Sequence, residues 1–274
     1  MLELGSLRFP APSVMGILNV TPDSFSDGGQ FLNPELAVRQ AEQMAGDGAV
    51  IIDVGGESTR PGAADVSEQE ELDRVIPIIE AIRANSDTPV SIDTSKPGVM
   101  RAAVAAGAAL INDVRALQMP GALTAAAELG VPVCLMHMAG EPRTMQSNPR
   151  YDDVVADVVA FLGERKRACV EGGIEEDRVM LDPGFGFGKS RNHNVTLLAN
   201  LRQLQQLGRP LLVGISRKST LGDLTGRAVD ERMPASVAAA VIAAMKGAAM
   251  VRVHDVRETV DALRVATAVI DAGE

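Results

Sequence analysis

The sequence is poor in aromatic side chains. Among its 274 residues there is no Trp, and aromatic residues make up only 3% of the chain. Aliphatic side chains must therefore fill the interior, because apolar residues still account for 46% of the composition. This composition is typical of many short parallel strands covered by Ala-rich helices, and the length suffices for one substantial core.

Cysteine is also scarce. Cys134 and Cys169 are the two cysteines, and both stand in apolar contexts. The chain contains no CxxC motif and no Cys/His cluster, which argues against a disulfide scaffold and against a zinc site. The compartment that fits this pattern is a reducing cytoplasm.

Basic residues are outnumbered by acidic ones, and long apolar runs are lacking. The chain has 26 basic and 36 acidic residues, a net charge of −10, and no basic stripe with interleaved aromatics. Nucleic acid is therefore not expected as a partner. Residues 1–10 do not resemble a signal peptide, and the apolar segment 235–245 is too short to span a bilayer. No membrane partner is expected either.

What the chain does contain is eight short apolar runs separated by segments of helical period. Most runs are continuous rather than alternating, as expected of strands covered on both faces. The clearest helical segment covers residues 151–173 and ends at two glycines. Alternation of this kind predicts a TIM (β/α)8 barrel, one domain over residues 1–274. A doubly wound sheet is the alternative, but its usual GxGxxG turn after the first strand is missing.

Polar side chains follow the predicted strands. The runs lead into Asn19, Asp53, Asp93, Asn112–Asp113, His137, Asp182, Ser216–Lys218 and Arg252–Asp255. In a (β/α)8 barrel the C-terminal ends of all strands meet on one face, where such enzymes place their chemistry. The pattern therefore predicts a polar site at that mouth of the barrel.

Two loops rich in Gly and polar residues follow the first two strands. The stretch MGILNVTPDSFSDGG, residues 15–29, is either a solvated turn or a mobile lid with oxygen ligands for Mg²⁺. In GGESTRPG, residues 55–62, Thr59 and Arg60 could hold an anion or a planar acid. A simple turn with an exposed Arg is the alternative for the second loop.

The next motifs suggest recognition of a flat heterocycle. Asp93 and Asn112 would pair donors with acceptors, although Asp93 could instead cap the helix that begins near Pro97. LDPGFGFGKS, residues 181–190, is not a Walker loop, because Pro183 stands where that pattern needs Gly. Its glycines would let backbone approach a ligand, and a Phe could cover a ring.

The last two strands are followed by basic residues. Arg217 and Lys218 come after one strand, and Arg252 and His254 share one face of the other. In an acidic protein these side chains predict a local anion site, and barrels commonly bind phosphate there. His137 has no such neighbour in the sequence and is predicted to be structural or to support a ligand from behind.

Taken together, eight motifs resemble those of the bacterial dihydropteroate synthases. They are MGILNVTPDSFSDGG, DVGGESTRPGA, SIDTSKP, INDV, MHMAGEPRTMQ, LDPGFGFGKS, GISRKS and VRVHDV, in this order between about residues 14 and 256. The resemblance implies a homodimeric TIM barrel that joins 4-aminobenzoate to a dihydropterin diphosphate with loss of diphosphate. It also implies Mg²⁺ as cofactor and inhibition by sulfonamides.

The resemblance further implies roles for individual residues. Asn19 would be the Mg²⁺ ligand. The pterin would be bound by Asp93, Asn112, Asp182 and Lys218. Arg252 and His254 would hold the diphosphate, and the aminobenzoate side would be lined by Thr59, Arg60, Phe187 and Ser219. The residues expected to act in catalysis are Asp93, Lys218, Arg252 and His254.

Three other functions stay open from the sequence. A methyltetrahydrofolate-type methyltransferase barrel would share the pterin-holding Asp and Asn but needs no diphosphate site. A catalytically silent homologue would bind pterins without turnover. A purely structural or interaction barrel would leave the polar mouth unexplained.

Overall fold

The computed structural model describes residues 1–21, 34–58, 66–140, 145–146 and 149–272. The chain opens with an antiparallel hairpin of β1 (Leu2–Leu4) and β2 (Leu7–Phe9). This hairpin was not predicted, because three-residue strands are too short to show a period. Its apolar side chains are nevertheless buried at the bottom of the barrel.

Eight further strands form one parallel sheet. They are β3 (Ser13–Asn19), β4 (Ile51–Gly55), β5 (Val90–Asp93), β6 (Leu110–Asp113), β7 (Val133–Met136), β8 (Val179–Asp182), β9 (Leu212–Val213) and β10 (Met250–Val253). The strand order is β8-β7-β6-β5-β4-β3-β10-β9, and a parallel bridge between Leu181 and Leu211 joins its two ends. The sheet is thus closed, which confirms the predicted TIM barrel and excludes the doubly wound alternative.

Helices follow the strands around the outside. They are α1 (Pro34–Gly46), α2 (Glu68–Asn85), α3 (Pro97–Ala105), α4 (Ala122–Leu129), α5 (Val154–Glu171), α6 (Arg191–Ala199), α7 (Ser219–Thr225), α8 (Met233–Met245) and α9 (Val256–Asp271). The predicted helix over 151–173 is α5. Asp153 caps it by accepting from the N–H groups of Val155 and Ala156, and Gly172 ends it.

The inside of the barrel is apolar at the bottom and polar at the top. Side chains near the strand starts pack with the hairpin in one buried cluster, which contains Leu2, Leu4, Phe9, Met15, Ile51, Leu110, Cys134, Met180, Leu212 and Met250. Side chains two positions later point to the same face of a strand. Four polar residues stand two positions after members of this cluster, namely Asp53, Asn112, Asp182 and Arg252. The two-residue period of the strands therefore places polar side chains inside the barrel at its C-terminal mouth.

The remaining predictions about the chain as a whole are tested only in part. Both cysteines are free and buried. Among the described residues, none of the helices has the length and apolar character needed to cross a bilayer. The extent of the domain, residues 1–274, stays a prediction.

Candidate active site

Arg252 lies at the centre of the polar mouth. From β10 its Nε donates to Asp53 Oδ2 of β4 at 2.5 Å, and its Nη2 donates to Asp93 Oδ2 of β5 at 2.8 Å. Burial alone would lower the pKa of Arg252, but Asp53 and Asp93 raise it by more. The guanidinium therefore stays charged and holds two carboxylates from neighbouring strands.

Asp93 shares the Arg252 guanidinium with Asp53. Burial raises the pKa of Asp93 to about 7; the positive charge of Arg252 opposes this increase, and the negative charge of Asp53 adds to it. The alternative in which Asp93 caps the next helix is wrong. The residue that precedes α3 is Lys96, and no side chain caps this helix start among the described residues.

Asp53 is the functional residue that the sequence analysis left without a role. Its side chain is fully buried, and Oδ2 also accepts from Asn112 Nδ2 at 3.1 Å. Its other oxygen, Oδ1, has no hydrogen-bond partner among the described residues. The signal was present in the sequence, since Asp53 lies near the end of an apolar run like Asp93, but nothing along the chain showed that it faces Arg252.

Asp182 and Lys218 form the opposite side of the mouth. Asp182 Oδ1 accepts from the Gly184 N–H at 2.7 Å, and burial raises its pKa while Lys218 opposes this. Burial lowers the pKa of Lys218 to about 8, against the attraction of Asp182. A Cβ placed on Gly214 would lie 3.8 Å from Arg252 Cβ and 3.9 Å from Asp182 Oδ2. Both side chains therefore border the same narrow space.

The Gly-rich segment after Asp182 brings Phe187 to this side. Lys218 Nζ lies 4.6 Å from the centre of the Phe187 ring and donates to the carbonyl oxygen of Phe185. The glycines make close approaches inside the protein. A Cβ on Gly184 would lie 1.8 Å from His137 O, and one on Gly188 would lie 2.4 Å from Ala139 O. Any ligand contact of these glycines stays a prediction.

His254 and Ser219 lie at the β9–β10 side of the mouth. Ser216 Oγ lies 3.0 Å from His254 Nδ1 and accepts from the His254 backbone N–H at 3.2 Å. Ser219 is exposed and begins α7. Arg217, which the sequence analysis counted among the basic residues here, is occupied by an ion pair with Asp255.

Two other charged groups near the mouth support loops. Asp113 accepts from Ser95 Oγ at 2.5 Å and from two backbone N–H groups of the turn after β6. Lys96 donates to Glu57 and to Glu71, both at 2.5 Å. Although burial would lower the pKa of Lys96, these two carboxylates raise it. Asp113 thus holds the turn after β6, and Lys96 is paired with two carboxylates.

Asn19 ends β3 next to Asp93. A Cβ placed on Gly55 between them would lie 3.7 Å from Asp93 Oδ2 and 3.8 Å from Asn19 Oδ1. Amide and carboxylate oxygens are ligand types that suit Mg²⁺, which usually keeps waters and takes further oxygens from substrate phosphates. The described residues contain no cluster of three or more acidic, His or Cys side chains able to hold a metal by themselves. The donors fit a metal whose shell is completed by water and substrate.

The structure thus brings together Asp93, Asn112, Asp182, Lys218 and Arg252, with Phe187 beside Lys218. Thr59, Arg60 and most of the predicted lid after Asn19 lie outside the described residues.

Comparisons with known proteins show which family the chain resembles. The family described as "Pterin binding enzyme" matches residues 15–254. The chain is 56% identical over 269 residues to dihydropteroate synthase of Escherichia coli (strain K12), covering 98% of this chain and 95% of that one.

Two solved structures have the same fold along nearly the whole chain. The Yersinia pestis dihydropteroate synthase in a sulfonamide drug complex superposes with a TM-score of 0.94 at 53% identity, covering 98% of this chain and 99% of the other. The Xanthomonas albilineans enzyme in complex with 7,8-dihydropteroate gives a TM-score of 0.88 at 53% identity, covering 96% and 95%. Since the family match spans most of the sequence and the relatives align over nearly their full length, the chain belongs to the dihydropteroate synthases, which are transferases among the pterin binding enzymes.

Proposed function

We propose that the barrel mouth joins 4-aminobenzoate to the methylene carbon of 6-hydroxymethyl-7,8-dihydropterin diphosphate. A C–N bond forms, the C–O bond to the diphosphate breaks, the amine proton passes to solvent, and 7,8-dihydropteroate results. The observation that carries the proposal is the single cluster in which Arg252 holds Asp53 and Asp93 beside Asn112. The similar Xanthomonas structure contains 7,8-dihydropteroate, which supports this substrate class.

The pterin is recognised by Asp182, Asn112, Asp93 and Lys218. A pterin carries N–H donors and ring acceptors in one plane, which require carboxylates and donors at fixed places. Asp53 orients the Asn112 side chain by accepting from its Nδ2. The Oδ1 atom of Asn112 then remains as an acceptor for the pterin. Asp182 is likewise held by the Gly184 N–H, so both groups are oriented before a ligand arrives.

The diphosphate is held by Arg252 and His254. Arg252 donates the Nε hydrogen and one Nη2 hydrogen to the two carboxylates. Three of its five N–H hydrogens remain available to oxygen acceptors. His254 is oriented by Ser216. Asn19 would hold Mg²⁺, and the bound ion would supply further positive charge to stabilise the diphosphate. Donors placed where charge develops stabilise the leaving group.

Bond breaking runs ahead of bond making in this proposal. The electron-rich dihydropterin shares the positive charge that develops on the methylene carbon, and the carboxylates of Asp93 and Asp182 stabilise it. The amine of 4-aminobenzoate is the nucleophile, so no activated side chain is required. Cys134 inside the barrel is unsuited to that role, because burial raises its pKa well above the usual range. Phe187 and Ser219 are assigned to the aminobenzoate side, and Thr59 and Arg60, which lie outside the described residues, keep the same role as a prediction.

The decisive experiment mixes the purified protein with Mg²⁺ and the dihydropterin diphosphate and follows diphosphate release with and without 4-aminobenzoate. Release coupled to dihydropteroate formation, and blocked by a sulfonamide, supports the proposal. Asp182→Asn should weaken pterin binding, whereas Asp223→Asn, at an exposed position of α7, should not. Pterin binding without product would favour a silent homologue, and absence of pterin binding would overturn the site.

We also propose that the protein is a cytoplasmic homodimer. α8 and α9 pack side by side and expose several large apolar side chains, namely Ile242, Met245, Val265 and Val269. Val265 is 67% exposed and Val269 is 58% exposed, one helical turn apart. A second copy of the chain would remove this apolar surface from water. The two free, buried cysteines are compatible with a reducing compartment.

A further inference from the structure

Lys189 is a buried titratable residue to which the proposed reaction assigns no part, and burial lowers its pKa to about 7. Its side chain follows the Gly-rich segment 183–188, and the residue is only 2% exposed. Nζ lies 2.8 Å from His137 Nδ1, 2.8 Å from Gly184 O and 3.1 Å from Phe187 O. A fourth acceptor, His137 O, lies 3.4 Å from Nζ, so acceptors surround all three hydrogens of the ammonium form.

These acceptors belong to two different parts of the barrel. His137, which offers Nδ1 and its carbonyl oxygen, directly follows β7, whereas the carbonyl groups of Gly184 and Phe187 come from the beginning and the end of the Gly-rich segment. Lys189 therefore fastens this segment to the end of β7. Burial, together with the charge of Lys189, lowers the pKa of His137 to about 3, so its ring is neutral and can accept at Nδ1.

The fastened segment carries two contacts to Lys218. These are the carbonyl group of Phe185, which accepts from Lys218 Nζ, and the Phe187 ring, whose centre lies 4.6 Å from it. Asn194 holds the middle of the segment by accepting from the Gly186 N–H at 2.9 Å, and the Tyr151 hydroxyl donates to Gly188 O at 2.9 Å. Without Lys189, the carbonyl group of Phe187 would lose its donor, while Asn194 and Tyr151 still held the neighbouring glycines.

We propose that Lys189 is a positioning residue that fixes the Phe187 ring beside Lys218 and thereby sets the affinity for the aromatic amine. The inference rests on the proposed function in so far as the amine is 4-aminobenzoate. A purely structural role would instead lower stability without acting through Phe187.

The position of the ring can be measured without turnover. Since the chain has no Trp, Phe187→Trp introduces a single tryptophan at this place, which can be excited selectively over Tyr151. Adding Lys189→Met should raise acrylamide quenching of that indole by about twofold, as local opening exposes it. Lys246→Met is the matched control, because its Nζ also donates to a carbonyl group, Ala199 O at 2.9 Å, but far from the mouth. Equal quenching in Phe187→Trp alone, with Lys189→Met and with Lys246→Met would overturn the proposal.

A kinetic double-mutant cycle tests the consequence. Lys189→Met and Phe187→Ala should each raise KM for 4-aminobenzoate by about tenfold, the factor that corresponds to 1.4 kcal/mol. If Lys189 acts through Phe187, the double variant should resemble Phe187→Ala alone. If the KM increase of the double variant equals the product of the two single increases, Lys189 acts independently of Phe187, which would overturn the inference.

The two readouts separate this inference from the proposed function. If the wild-type protein releases no diphosphate, the proposed function fails, and the quenching comparison still decides the role of Lys189. If Lys189→Met does not fold, His137→Leu removes one acceptor of the same ammonium group. The same increase in quenching is then expected, and unchanged quenching contradicts the proposal.

Discussion

At the scale of single residues, the mouth is organised by one guanidinium that compensates two buried carboxylates. Asp53 is fully buried, and Arg252 and Asp93 are 19% and 13% exposed in their side chains. A charge in such surroundings is tolerated only when it is paired, because burial removes its hydration. The ion pairs therefore hold the site in shape before any substrate binds.

Arg252→Met should leave two buried acids without a cation. We expect the free energy of unfolding to fall by about 3–5 kcal/mol, the usual effect of breaking a buried pair. Urea denaturation measures this loss. Adding Asp53→Asn should restore part of it, since one of the unpaired charges is then absent. Arg264→Met is the control, because its ion pair with Asp261 is exposed and should contribute about 1 kcal/mol or less. Equal losses at the two arginines would contradict this account.

The raised pKa of Asp93 predicts a pH dependence of stability. Below the ordinary value of 3.8 both native and unfolded states are protonated, and the contribution to stability is fully present. Between 3.8 and about 7 the native state keeps the proton that the unfolded state loses, so this contribution decreases as pH rises and is lost above about 7. The decrease is at most about 1.4 kcal/mol per pH unit.

Urea denaturation at several pH values, compared with Asp93→Asn, isolates this group. The free energy of unfolding of the wild type relative to the variant should decline from pH 4 to pH 7. A difference that is constant over this interval would show that burial does not raise the pKa of Asp93.

At the scale of elements, the Gly-rich segment after β8 shows how a turn can be specified by its surroundings. Gly184 and Gly208 have the same φ of 69°. A Cβ on Gly184 would lie 1.8 Å from His137 O, whereas a Cβ on Gly208 would meet nothing within 4 Å. The two positions thus separate the effect of backbone strain from that of steric contact.

Gly208→Ala should lower the free energy of unfolding by only about 1–2 kcal/mol, the usual strain of a left-handed residue. Gly184→Ala should lower it considerably more or prevent folding, because a backbone oxygen occupies the space. Thermal denaturation of the two variants makes the comparison. Similar losses would mean that the segment moves away from β7 at little cost.

At the scale of the whole molecule, the closed sheet brings together residues that are far apart along the chain. Arg252 and Asp53 are separated by 199 positions, and Arg252 and Asp93 by 159. Parallel strands with helical crossovers place all C-terminal ends at one mouth, so short polar motifs become one site. The outside of the same barrel exposes the apolar surface of α8 and α9.

The exposed surface of α9 predicts the association of two chains. The wild type should sediment as a dimer, and Val265→Asp with Val269→Asp should shift it toward the monomer. Sedimentation velocity over a range of concentrations measures the change. Val170→Asp, at a 41% exposed position on α5, is the matched control and should leave the dimer intact. A wild type that stays monomeric at high concentration would contradict the proposed homodimer.

The sequence by itself determined the barrel and most of its polar mouth. Continuous apolar runs that alternate with helical segments predicted strands covered on both faces, and the polar residue near the end of each run marked the end that faces the site. Asp93, Asn112, Asp182, Lys218 and Arg252 were identified in this way. The cap of α5 was also predictable, because Asp153 acts on neighbouring N–H groups through local geometry.

Only the tertiary structure decided which of these groups face one another. Asp53 has the same local sequence signature as many buried acids, and its role depends on an arginine contributed by the last strand. Nothing in the local sequence distinguishes Lys189 from other lysines, and its contact with His137 exists only in the folded barrel. The hairpin at the start is stabilised by its contacts with the barrel bottom. Local patterns reflect interactions within a few residues, whereas these pairings arise from strands that meet only when the sheet closes.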